Sequence, residues 1–171
     1  MNAVVNRDSH RVYLGLGSNI SPEKNLIKAI FLLKTRLQVA AVSTAWESPP
    51  FGSQGSNFIN AVALIQTELT RADLKRRILR PIEAQLGRVR TADQNAPRTI
   101  DLDILIYDEY VVDSKIFDHP YLALPLAEII PEYKQPGSDK TLVDIAQTLS
   151  INSQIIPRED VLKFTRFSIL T

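Results

Sequence analysis

One apolar stretch broken by two carboxylates limits what this chain can fold into more than any other feature. Residues Arg98-Thr99-Ile100-Asp101-Leu102-Asp103-Ile104-Leu105 read as a β-strand whose apolar side chains suit burial. Side chains at i and i+2 of a strand share one face, which places the two aspartates roughly 7 Å apart along the chain. Unpaired carboxylates on a half-buried strand are costly, because desolvation and mutual repulsion both oppose ionisation. Aspartate is also depleted in strands. Divalent cations or arginines are the usual remedies, and Arg88, Arg90 and Arg98 lie close in sequence. Carboxylates, hard cations and arginines together are equipment for handling phosphate.

The 171 residues suffice for one domain with a real core. Residues 1–10 read as a flexible tail and residues 11–171 as a single domain. The net charge of +1 makes no electrostatic case for nucleic acid or a membrane surface. With no cysteine there is no disulfide scaffold, thiol nucleophile or thiolate metal site. The two histidines, His10 and His119, cannot make a zinc site alone, so a metal would be held mainly by oxygen, which favours magnesium or manganese. No apolar run approaches membrane-spanning length, and the polar start lacks a signal-peptide pattern. A cytoplasmic protein, with a monomer favoured, is the expectation.

Local patterns set the order of elements. Arg11–Leu16 reads as a strand ended by the turn Gly17-Ser18-Asn19. Ser21-Pro22 reads as a helix start with Ser21 as N-cap, and Leu26, Ile30, Leu33 and Leu37 follow helical spacing. Val39–Trp46 and Phe58–Gln66 read as antiparallel strands around the loop 48–56, rich in proline, glycine and serine. Thr70 with Asp73 resembles a capping box, and the stripe Leu74, Ile78, Ile82, Leu86 predicts a helix to Gly87 with a bend at Pro81. After the carboxylate strand, Tyr107–Tyr110 turns the chain back through Val111 and Val112. A short apolar turn follows near Pro125–Ile130, then a helix near Leu142–Leu149 and a strand in the tail from Ile155. The order β-α-β-β-α-β predicts an α+β fold of the ferredoxin-like kind, which by itself says nothing of function.

Taken singly, the other candidates have plain structural explanations. Arginines are mostly solvated, and Arg71, Lys75, Arg76, Arg77 and Arg80 read as a solvated helix face. Gly15-Leu16-Gly17-Ser18-Asn19 lacks the lysine and spacing of a P-loop and is on its own a turn. Asn60 at a strand start suits reading a heterocycle edge or satisfying a turn. His119 before Pro120 suits a phosphate ligand or an ordinary loop. Phe51 and Phe58 suit stacking on a flat ligand or core packing.

Read together, the pieces resemble one family, the 6-hydroxymethyl-7,8-dihydropterin pyrophosphokinases of folate biosynthesis. The resemblance is carried by the runs at 13–19, 48–52, 57–61, 82–90 and 96–105 and spans residues 11–145, with the run 97–104 its most specific part. It implies a ferredoxin-like three-layer α-β-α sandwich with a mostly antiparallel sheet. It also implies transfer of the pyrophosphoryl group of ATP to a reduced hydroxymethylpterin, with release of AMP. Asp101 and Asp103 match the family's metal-binding pair, which would hold two Mg²⁺ ions. Arg88 and Arg98 match phosphate-clamping arginines and, with the two aspartates, make up the expected catalytic set. Arg90 matches the loop that closes over the site. Glu83 and His119 match positions bordering ATP, and Ser48, Phe51 and Asn60 match the pterin pocket. Two departures stand out. Asn95-Ala96 replace a Trp-Gly pair on the closing loop. The segment from His119 to Leu126 skips about half of a span that in the family carries an arginine and a phenylalanine. That shortening motivates two alternatives: a paralogue acting on a different pterin alcohol, or a non-catalytic nucleotide- or pterin-binding protein.

Overall fold

The computed structural model describes residues 9–51, 54–93 and 96–163. Most of the expected tail, residues 1–8, lies outside them, as do Gly52, Ser53 and Asn95. The elements run β1 (His10–Ser18), α1 (Pro22–Lys34), β2 (Gln38–Val42), β3 (Ala45–Ser48), β4 (Phe58–Thr67), α2 (Arg71–Leu74), a π-helical turn (Lys75–Leu79), α3 (Arg80–Gln85), β5 (Asp101–Tyr107), β6 (Tyr110–Val111), a 3-10 turn (Ser114–Phe117), α4 (Pro120–Ile129), α5 (Leu142–Ser150) and β7 (Ile156–Arg158). The sheet is antiparallel, in the order β6-β5-β1-β4-β3-β7, with β2 also paired to β4. A ferredoxin-like core of β5, β1, β4 and the β2–β3 edge is therefore extended on both sides.

Strand alternation sorts the core into two layers. Val12, Leu14 and Leu16 of β1 join Ile59, Ala61, Ala63 and Ile65 of β4 and pack on Leu26, Ile30 and Leu33 of α1 and on Leu74, Leu79 and Ile82. On the other face Tyr13, Val62, Leu64 and Leu105 pack on Ile116, Leu126 and Leu142. Helices thus cover both faces, as expected of a three-layer sandwich. No helix among the described residues is long and apolar enough to cross a membrane.

Five local expectations change in detail. β1 starts at His10, one residue inside the expected tail, and runs on through Gly17 and Ser18. Ser21 does not cap α1 with its side chain: it adopts a left-handed φ of 44°. Asn25 Nδ2 instead donates to the Ile20 carbonyl at 2.6 Å. The strand expected over 39–46 is split, because Ser43 leaves the ladder and its hydroxyl accepts the Val62 N–H at 2.9 Å. Pro81 does not simply bend its helix. The π-helical turn before it, in which Arg80 N–H bonds to Lys75 O, absorbs the missing donor and the ring's clash with the preceding turn. Pro125 stands inside α4, where a short turn was expected. Pro120 at the first helical position and burial of Ala123, Pro125 and Leu126 offset the lost bond.

Candidate active site

Cross-strand register builds the floor of a cleft on the face that carries α4. Asp101 of β5 lies opposite Gly17 of β1, which lies opposite Asn60 of β4. One step along, Asp103 lies opposite Gly15 and then Val62. Directly opposed residues point to the same face, so the acid pair and the Asn60 amide flank a floor with no side chains. A Cβ on Gly17 would stand 3.0 Å from Asn60 Oδ1, and one on Gly15 would stand 3.2 Å from a Leu105 methyl.

The cleft has two compartments. A cavity of about 310 Å³ is lined by Gly15, Gly17, Ser48, Phe51, Phe58 and Asn60, among others. A second of about 230 Å³ is lined by Arg88, Arg90, Thr91 and Pro97, among others. Arg98, Asp101 and Asp103 line both. One compartment is thus aromatic and amide-bearing and the other is lined by three arginines, with Asp93 among them and the acid pair at the junction of the two.

In the first compartment Asn60 Nδ2 donates to Ser48 Oγ at 3.1 Å, which fixes the buried amide. The Phe51 ring is exposed and sits 4.6 Å from that of His119, which meets Tyr121 edge-on at 5.3 Å. His119 also caps α4, and its Nδ1 is buried without a partner among the described residues. Burial, then the Asp113 charge, pushes the Tyr121 phenol upward.

In the second compartment Arg98 Nη1 pairs with Asp101 Oδ2 at 2.5 Å, and Arg88 Nη2 lies 3.5 Å from Asp101 Oδ1. The Arg98 guanidinium also stands 5.6 Å from the Phe58 ring centroid. The Asp103 side chain makes no hydrogen bond or ion pair with any described residue. The residue is exposed in the open cleft, but the protein walls around it limit how fully water can solvate the carboxylate. That partial desolvation, then the Asp101 charge, raises the carboxyl from 3.8 to about 6, partly offset by Lys75. An oxygen pair under this electrostatic stress suits a divalent cation. The described residues contain no third acid or histidine in the cluster, so an all-protein cage is absent. That donor set fits Mg²⁺, which keeps waters and takes its remaining ligands from phosphate.

Glu83 lies behind the cleft wall, not on it. It is 2 % exposed. Its Oε1 accepts the Leu102 N–H at 3.0 Å, and Oε2 pairs with Arg90 at 2.5 Å. β6 covers only Ile106 and Tyr107, so Leu102 has no strand partner on that edge. Glu83 satisfies the N–H between the two aspartates and tethers the loop bearing Arg90. Glu83→Ala should leave that N–H unpaired and lower stability by about 2 kcal/mol, or about 4–8 °C of melting temperature in a thermal scan.

The structure therefore brings Ser48, Phe51, Asn60, Arg88, Arg90, Arg98, Asp101, Asp103 and His119 to one cleft. Gly15, Gly17, Asp113 and Lys115 join them unforeseen, and Tyr121 stands in the short segment after His119 where the family's aromatic is missing. For the glycines the only signal was spacing: two glycines two apart on a strand face one side.

Comparison with known proteins agrees with this geometry. Residues 13–131 match the family described as 7,8-dihydro-6-hydroxymethylpterin-pyrophosphokinase (HPPK). The chain is 36% identical over 141 residues to the 2-amino-4-hydroxy-6-hydroxymethyldihydropteridine pyrophosphokinase of Aquifex aeolicus, covering 77% of this chain and 87% of that one. It is 30% identical over 141 residues to the folic acid synthesis protein FOL1 of Dictyostelium discoideum, covering 77% of this chain but only 21% of that one. Among solved structures, wild-type Plasmodium falciparum HPPK-DHPS superposes with a TM-score of 0.67 at 12% identity, over 85% of this chain and 44% of that one. At that identity the superposition speaks for the fold, and this chain spans less than half of that one. With a match over most of its length and a relative above 30% identity, the chain belongs to the 7,8-dihydro-6-hydroxymethylpterin-pyrophosphokinase family.

Proposed function

We propose that this chain transfers the pyrophosphoryl group of ATP to the hydroxymethyl oxygen of 6-hydroxymethyl-7,8-dihydropterin in folate biosynthesis. The substrate hydroxyl attacks the β-phosphorus and gives up its proton to solvent. The bond from that phosphorus to the α–β bridging oxygen breaks, and AMP leaves. The observation that carries the reading is the acid pair at the junction of a basic compartment and an aromatic, amide-bearing one. The transferred group would have to pass between two such compartments.

The residues divide the work by chemistry. Asn60, fixed by Ser48, offers an amide donor and acceptor to the edge of a flat heterocycle, with Phe51 and Phe58 as stacking surfaces. Arg88, Arg90 and Arg98 supply planar donors for triphosphate oxygens. Asp101 and Asp103 would hold two Mg²⁺ ions, which when bound neutralise phosphate charge and polarise the phosphorus. Arg98 and Asp101 neutralise one another without ligands, so the pair must part for Arg98 to grip phosphate. His119, half-buried beside the Phe51 and Tyr121 rings at the head of α4, lines the aromatic compartment. A cytoplasmic monomer belongs to the same proposal.

The deciding assay supplies purified protein with Mg²⁺, ATP and 6-hydroxymethyl-7,8-dihydropterin and measures AMP. AMP formed in step with pterin pyrophosphate is the expected result. Nucleotide binding without AMP would turn attention to the short segment after His119. A panel of other pterin alcohols would then separate a changed substrate from a binding role.

A further inference from the structure

We infer that Asn19 is a positioning residue for the reaction, because the turn Ser18–Ile20 replaces the missing strand ladder that would otherwise hold the backbone of Arg98. The inference rests on the cleft being an ATP site. β5 begins only at Asp101, so residues 98–100 have no regular pairing to hold them. Yet Arg98 must project its guanidinium between Asp101 and Phe58.

The turn after β1 supplies what the ladder lacks. The Asn19 and Ile20 N–H groups both donate to the Arg98 carbonyl, at 3.1 and 3.2 Å. The Arg98 N–H donates to Asn19 Oδ1 at 2.7 Å. The fully buried Ser18 hydroxyl donates to the Thr99 carbonyl at 2.6 Å. Asn25 in turn bonds to the Ile20 carbonyl, and Ser21 keeps its left-handed backbone beside it. This knot joins segments about 80 residues apart, and both backbone groups of Arg98 end in one turn. A side chain that must exchange a carboxylate for a phosphate needs a fixed pivot, and the turn provides it. The asparagine contributes the side-chain acceptor that meets the Arg98 N–H. Asn19 does not line the cleft, so it acts through Arg98.

The test compares Asn19→Ala with Asn19→Asp, whose carboxylate keeps an acceptor in the same place. Asn19→Ala should lower kcat/KM for ATP about 10²-fold, the scale of a roughly 1 Å misplacement of a reacting group. KM for the pterin should stay within about threefold, since Asn60 and Ser48 hold that side. Asn19→Asp should recover ATP kinetics to within about tenfold of wild type. Hydrogen exchange should show lost protection over residues 96–100 in Asn19→Ala only. Wild-type ATP kinetics in Asn19→Ala, unchanged exchange there, or an Asn19→Asp as impaired as the alanine would each overturn the inference. If Asn19→Ala fails to fold, Asn19→Ser, with its shorter reach, takes its place against Asn19→Asp under the same criteria. Titration with a fluorescent ATP analogue and Mg²⁺ separates the two levels. A wild type that neither binds nucleotide nor releases AMP refutes the reading of the cleft. A wild type that binds, with Asn19→Ala binding equally well, refutes the pivot alone.

Discussion

Asn in place of Asp103 should all but abolish turnover while making the ligand-free protein more stable. The activity side follows from donor chemistry. An amide is a weak, neutral ligand for a hard cation, and only two carboxylates serve the cluster among the described residues. Loss of about 10³-fold or more in kcat is expected, because charge neutralisation along the triphosphate is worth several kcal/mol. The stability side follows from the raised carboxyl. Its folded value of about 6 exceeds the ordinary 3.8, so the folded state binds the proton more tightly than the unfolded chain. Stability from this group therefore falls as pH rises from about 4 to about 6 and stays low above that range. Asparagine carries no charge and escapes the penalty. With the open cleft screening the charge, the gain at pH 7 is about 1 kcal/mol, or about 2–4 °C in melting temperature. Thermal scans in metal-free buffer at pH 4.5 and 7 should show a gain about three times larger at the higher pH. A variant that keeps kcat within tenfold of wild type would remove Asp103 from the metal site. One that melts lower at pH 7 would refute the electrostatic account.

That trade between stability and function is why this strand could be read so early. An aspartate pair on an apolar strand opposes local propensity, and a rule broken at i and i+2 points to a site. The helices covering β1 and β4 were equally legible, since Leu26, Ile30, Leu33 and Ile82 repeat at helical spacing and bury as a stripe. What escaped the sequence was whatever depends on distant partners. Ser18 and Asn19 look like an ordinary turn until Arg98 and Thr99 arrive from 80 residues away. Glu83 matches a position bordering ATP by resemblance, but nothing in its own helix shows that it is buried. Only the bare edge of β5 beside Leu102 draws it inward. The α4 helix hid behind Pro125, because the local signal of a breaker is strong and the packing that outweighs it is tertiary. The short segment after His119 removes the landmarks that would show what replaces the family's aromatic there, and Tyr121 is the ring it holds. The first turn of α4 carries it into the cleft.

Gly17→Val should separate the two compartments more sharply than any other single change. The strand tolerates the substitution: Gly17 has an ordinary negative φ, and a β-branched residue suits a central strand. The damage falls on the cleft floor. The first added carbon alone would stand 3.0 Å from Asn60 Oδ1, closer than ordinary contact, and valine's methyls extend further into the cavity between Asn60 and Asp101. The Asn60 amide must then turn from its bond to Ser48 and lose its orientation toward the heterocycle. A binding site whose buried polar group is misaligned loses about 2–3 kcal/mol, so KM for the pterin should rise about 30- to 150-fold. The basic compartment does not include Gly17 among its lining residues, so the Kd for ATP with Mg²⁺ should stay within about threefold of wild type. Gly17→Ala should fall between the two, because one methyl can be accommodated by a shift of a few tenths of an ångström. Equal losses of pterin and ATP binding in Gly17→Val would mean that the two compartments are not separate substrate sites. Unchanged pterin kinetics would mean that the flat ligand does not lie over Gly17 and Asn60.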